Sequence, residues 1–203
     1  MKKLIMVLGM LTVLLLSIAT ASAKVQPTVR VAQLPIELGG NFPITQKNVD
    51  KLNVDFHKSL EFASDGHRES VEFITLKESQ DALRAVVKEL NGNSDPEAVL
   101  IPLANKLNAD IVIMPELVDF QQHDYMNLDP SRSTSLMYTY SYTAFRIVGY
   151  DRTKNEMFHK CASKTYDYEQ SSIGTADSLT KDCMDTVLQQ IDFVQRVVHA
   201  EKK

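Results

Sequence analysis

The chain has no tryptophan, only two cysteines, and seven each of glycine and proline in 203 residues. So little glycine and proline excludes collagen-like and low-complexity classes. Two cysteines are too few for a disulfide scaffold. After the N-terminal segment no apolar run is long enough to span a membrane, so a polytopic membrane protein is excluded. There is no run of lysine or arginine, and the formal net charge is −4. Such a chain gains nothing from counterion release, which argues against nucleic acid and anionic membrane surfaces as partners. The chemical signatures are missing too: no Gly-x-Ser-x-Gly, HExxH, CxxC, phosphate-binding glycine loop or GxGxxG occurs. No spacing asks for a metal or a cofactor. These absences lead away from an enzyme and towards a binding role.

What is present begins with an address. Lys2 and Lys3 precede an apolar stretch from Leu4 to Ile18, and "ATASA" ends it with small residues at Ala21 and Ala23. This is the pattern of a secretory signal peptide with an Ala-x-Ala cleavage site. Residues 1–23 are expected to be removed and residues 24–203 to form a single globular domain. Cleavage removes two lysines and takes the formal net charge to −6. No cysteine stands near residue 23, so a lipid anchor at this site is not expected. The mature protein is read as soluble, in the periplasm or outside the cell, with no stable membrane insertion.

In an oxidising compartment Cys161 and Cys183 suggest a disulfide, whose loop of about 22 residues would stabilise by roughly 3 kcal/mol. Two free thiols remain an alternative, as does a metal pair with His159, though zinc requires further ligands.

Periodicity gives the elements. "VRVAQLPI" (Val29–Ile36) reads as a strand. Thr45 caps a helix over Gln46–Ala63, and "VEFITL" reads as a second strand. Thr75 and Glu78 have capping-box spacing for a helix to about Leu90. Asp95-Pro96-Glu97 opens another helix, which Pro102 is expected to kink or split. "ADIVIMPELVDF" (Ala109–Phe120) is the clearest strand, with Pro115 marking a bulge or edge. A polar loop, Gln121–Ser135, follows. Leu136–Asp151 and Met157–Tyr168 read as a hairpin about the turn "DRTKNE". One last helix covers about Ala176 to His199. The fold class is α+β, an α/β sandwich with a mixed sheet of about five strands in the order β-α-β-α-α-β-β-β-α.

The run "LANKLNADIVIMPEL" and the hairpin turn "DRTKNEM", after a first strand ending "QLPI", resemble a family of bacterial envelope domains. The pattern is similar to the CsgG-type α/β domain, shared in outline with the TolB N-terminal domain and LpoB. The resemblance implies a fold and non-enzymatic contact with other envelope components. It implies no catalytic residue. CsgG and LpoB carry a lipid anchor and TolB continues into a propeller, features not expected of this chain.

The candidate site is "LMYTYSYTAFRIVGYD". Tyr138, Tyr140 and Tyr142 recur every second residue, so they share one strand face, with Arg146 further along it. Thr139, Ser141 and Thr143 form the opposite row. Tyrosine offers large amphipathic area at low entropic cost, which suits a contact surface. It is also simply a good strand residue, and that propensity alone explains most such rows, with the rings lying under the last helix. Which face is buried is expected to change along the strand. In "QQHDY", His123 and Asp124, with Asp119 and Asp129 near, read as a solvated loop. Three functions follow from these readings. The first is an exported partner in the envelope that binds another component or itself. The second is a small-molecule binder with a pocket beside the tyrosines. The third is a hydrolase using His123 or His159.

Overall fold

The computed structural model describes residues 28–127 and 136–202. The expected signal peptide, residues 1–23, and the second half of the expected polar loop lie outside the described residues. The strands are β1 (Val29–Gln33), β2 (Glu37–Leu38), β3 (Val71–Ile74), β4 (Ile111–Asn127), β5 (Leu136–Asp151) and β6 (Glu156–Glu169). The helices are α1 (Gln46–Ala63), α2 (Leu76–Glu89), α3 (Pro96–Leu107), α4 (Ala176–Gln190) and α5 (Phe193–Glu201).

The strands form one six-stranded mixed sheet in the order β3-β1-β4-β5-β6, with the two-residue β2 also on β4. β1 pairs parallel with β3 and β4, while β4, β5 and β6 form an antiparallel ribbon. Helices pack on both faces, so the start of β4 is apolar on both sides, as a doubly covered strand requires. One face buries Leu52 and Phe56 of α1, Met184 and Val187 of α4, and Phe193 and Val197 of α5. The other buries Val86 of α2 and Val99, Leu100 and Leu103 of α3. The mixed sheet packed by helices is the fold class that the alternation predicts.

The helices start where hydroxyls and carboxylates accept from orphaned backbone N–H groups. Thr45 accepts from Asn48 N, Thr75 from Glu78 N, Asp95 from Glu97 N and Thr175 from Ser178 N. α3 ends on Asn108 in the left-handed conformation, φ 49°.

Four expectations are corrected. Pro102 does not split α3, which runs from Pro96 to Leu107 while Leu100, Leu103 and Ala104 hold it on the sheet. The last helix is two. Asp192 takes φ 52° and turns α5 so that Phe193 and Val197 enter the core. β1 stops at Gln33, and the chain then adds Glu37 and Leu38 to β4. The strand from Ala109 does not stop at Phe120. β4 continues to Asn127 through a register shift between Leu117 and Asp119, soon after Pro115.

The Ala-Asp before β4 has a structural task. Asp110 Oδ2 accepts from Arg30 N at 3.0 Å and Oδ1 from the Arg152 guanidinium at 2.8 Å, tying β1 and the hairpin turn together. The turn itself is closed by the fully buried Asp151, whose Oδ1 accepts from Thr153 N and Lys154 N. Arg196 of α5 reaches Asp151 Oδ2 at 3.3 Å and lies 4.2 Å from the centre of the Phe158 ring. Gly149 makes room for that ring: a Cβ there would stand 2.2 Å from Phe158 and 2.7 Å from the Val112 carbonyl oxygen.

Candidate functional site

The ribbon β4-β5-β6 is longer than the helix layer on one of its faces. On the α4 side, Thr139, Ser141, Thr143, Phe145 and Ile147 are buried in succession. The Thr143 and Thr180 hydroxyls meet at 2.9 Å, and the Gln122 side-chain oxygen accepts from Ala176 N at 2.9 Å. Small hydroxyls stand here because the last helices approach closely. A Cβ on Gly174, just before α4, would lie 2.3 Å from the Tyr166 ring. The buried face therefore does not change along β5, contrary to the sequence reading.

The tyrosines occupy the opposite face. They do not lie under the last helix, which takes the small-hydroxyl row instead. On the tyrosine side α2 and α3 cover only the inner end of β5, where Val148 and Tyr150 join their core. Tyr138, Tyr140 and Tyr142 are half-buried.

Register builds the rest of this surface. Gln121, His123 and Tyr125 of β4 stand opposite Tyr142, Tyr140 and Tyr138. The His123 and Tyr140 ring centroids are 4.9 Å apart, and those of Tyr125 and Tyr138 are 5.7 Å apart. "QQHDY" is thus strand, not loop, and alternation separates its members. His123 joins the aromatic face, while Asp124 turns to the other side and accepts from the Thr139 hydroxyl at 2.6 Å. From β6, Thr165 and Asp167 flank Tyr142 and Tyr140. The Tyr125 hydroxyl donates to Asp167 Oδ1 at 2.5 Å, and that bond to a carboxylate raises the Tyr125 pKa. Gln121 Nε2 donates to Asp119 Oδ1 at 3.1 Å.

Arg146 shares the tyrosine face, as expected, but is engaged. Its Nε donates to Glu116 Oε2 at 2.8 Å, with a second bond from the same guanidinium. Glu37 of β2 lies near this pair. Burial first, and the Glu116 carboxylate second, raise its pKa. His123, read from sequence as a loop residue, and Tyr125 and Asp167, which the sequence reading did not single out, complete the face. Their period-two spacing was the available signal, hidden by the polar composition of the segment.

His123 and His159 do not come together. Their β5 partners are Tyr140 and Val148, eight residues of strand apart or roughly 26 Å. Among the described residues no group of three histidine, cysteine, aspartate or glutamate side chains is placed to hold a metal. Cys161 and Cys183 are both free. The expected bridge is not formed because the sheet lies between the thiols. Ala162 and Cys183 belong to the same core, so Cys161, the next residue along the strand, points to the opposite face. Burial pushes the Cys183 thiol up to about 11. Among the described residues no helix is long and apolar enough to cross a membrane.

No protein-family model and no curated protein sequence matches this chain. Solved structures share its arrangement in outline. A hypothetical protein from Chlamydia trachomatis is 12% identical, with 81% of this chain and 96% of that one covered and a TM-score of 0.48. The PelC dodecamer from Paraburkholderia phytofirmans is 10% identical over 79% and 85%, with a TM-score of 0.42. The LpoB C-terminal domain from Salmonella enterica is 8% identical over 70% and 87%, with a TM-score of 0.37. LpoB is one of the three proteins that the sequence motifs resemble.

Proposed function

We propose that this chain is an exported, non-enzymatic protein of the bacterial envelope that binds another envelope component, or itself, through the outer face of β4-β5-β6. The observation that carries the reading is the placement of the tyrosine row on the face that the helices leave open. Large aromatic area held half-exposed on a rigid ribbon suits recognition, since few rotamers are lost on contact. The sequence features of export, and the absence of catalytic motifs from the sequence, support the same reading. A photo-cross-linking residue at position 140, introduced in cells, is expected to give an adduct with a partner or a second copy. A folded, exported protein that gives no adduct there returns the row to being a wall of the sheet.

A small-molecule role is the second reading. It is favoured by an open cleft where α3 begins against the sheet, lined by Pro96, Arg146, Val148, Met157 and His159. A ligand seated there raises the melting temperature in a thermal-shift screen. It does so regardless of the residue at position 140, which separates the two readings.

A further inference from the structure

The outer face has a one-sided charge. Asp119 and Asp167 border the ring cluster, and Glu169 stands opposite Tyr138 in register. Among the described residues of β4, β5 and β6, no lysine or arginine shares this part of the face. Lys160 and Lys164 follow the register of Ala162 on the other side, where Lys164 pairs with Asp182. The nearest cation on the face, Arg146, is held by Glu116. Aromatic ring faces carry negative potential, so rings and carboxylates present the same sign. Aliphatic side chains are few: Leu136 at the outer tip and Ala144 at the inner end bound the polar and aromatic set. A helix-in-groove partner would find no knobs to pack on, and an anionic partner would be repelled. A neutral glycan would use the rings but offer the carboxylates no counter-charge.

Spacing narrows the occupant further. The three tyrosines repeat about every 7 Å along β5, the interval at which an extended peptide presents side chains to one side. We propose that this face docks an extended protein segment in which lysine or arginine recurs at alternate positions. Its cations lie over Tyr138, Tyr140 and Tyr142 and pair at the margins with Asp119 and Asp167. The inference rests on the outer face being the contact surface.

The test is fluorescence anisotropy of the full exported chain with a labelled alternating Arg-Ser decapeptide. An alternating Glu-Ser decapeptide and neutral cellohexaose serve as comparison probes. The Arg-Ser probe is expected to bind at low salt and to weaken steeply between about 0.05 and about 0.5 M salt. Tyr140→Ala is expected to weaken it roughly tenfold with no change in charge, whereas Tyr140→Phe keeps the ring and keeps the binding. The size-preserving pair Asp119→Asn with Asp167→Asn is expected to weaken it about as much. The same loss of charge on α2, Glu78→Gln with Asp81→Asn, is expected to leave it unchanged. Equal weakening by the α2 pair, indifference to position 140, or face-dependent binding of cellohexaose each overturns the proposal. A cross-linked partner at position 140 that has no basic segment sinks the charge assignment and leaves the contact surface standing. No adduct at all sinks both.

Discussion

The two halves of β5 belong to one unbroken strand and differ in how far the helices cover them. Its inner half, Phe145 to Asp151, is covered by helices on one side and, from Val148 onward, on the other as well, and its outer half, Tyr138 to Ala144, on one side only. The inner half keeps its helix-side residues Phe145 and Ile147 fully buried, and Tyr150 on the other side is 5% exposed. The outer half buries a row of small hydroxyls and leaves the rings half-exposed. Pairing with β6 is continuous through both, while the ladder with β4 shifts register at their boundary, where Leu117 stands opposite Phe145 and Asp119 opposite Ala144. The difference is the reach of the helix layers: α4 runs out along one face, whereas α2 and α3 stop short on the other. A sheet that outgrows its cover presents a rigid open surface while its core remains intact.

If that contrast is right, substitutions in the two halves separate by size. Phe145→Ala empties a site packed 5.5 Å from Phe56 and is expected to cost about 3–5 kcal/mol in denaturant unfolding. Tyr140→Ala loses a cross-strand pair on the open side, at about 1 kcal/mol or less. Comparable losses at the two positions would make the tyrosine row part of the core and break the comparison. Next comes Arg196→Ala, expected to cost about 3 kcal/mol because it leaves the buried Asp151 carboxylate without its cation. A loss under about 1 kcal/mol would show that the turn amides alone satisfy Asp151. Gly149→Ala pushes a methyl into the Phe158 ring and the Val112 carbonyl, for about 1–3 kcal/mol. An unchanged midpoint would mean that the inner half yields more easily than its packing implies.

The smallest effect is chemical. Cys161 is expected to alkylate in the native protein and Cys183 only after unfolding, since Cys183 is buried and its thiol is shifted up. Mass measurement with and without reductant reads both thiols and any bridge. The shift carries a sign for stability. The folded thiol holds its proton up to about 11 from an ordinary value of 9.0, so its contribution is complete below pH 9 and is lost as pH rises towards 11. Cys183→Ser is expected to flatten that alkaline decline.

Much of the fold was legible because it rests on local signals. Thr45, Thr75, Asp95 and Thr175 start helices by bonds to residues two or three positions ahead, which any reading of spacing finds. The hairpin turn was equally visible, since Asp151 closes it with its own neighbours. The misreadings came where distant contacts override local preference. Pro102 stays helical because the sheet holds its flanks. Gln121–Tyr125 is strand because β5 pairs with it, although its composition is that of a loop. Asp192 breaks the last helix so that α5 can turn into the core.

Of the candidate site, the sequence by itself determined that Tyr138, Tyr140, Tyr142 and Arg146 share one face, because a strand alternates and β5 runs through this stretch without a bulge. Only the tertiary structure decided that this is the open face, since that depends on where α4 and α3 end over the sheet. Only the structure brought His123, Tyr125 and Asp167 to the tyrosines and closed Arg146 on Glu116, because register between strands is set by the whole sheet. It also kept Cys161 from Cys183, because alternation sends one thiol through the sheet from the other.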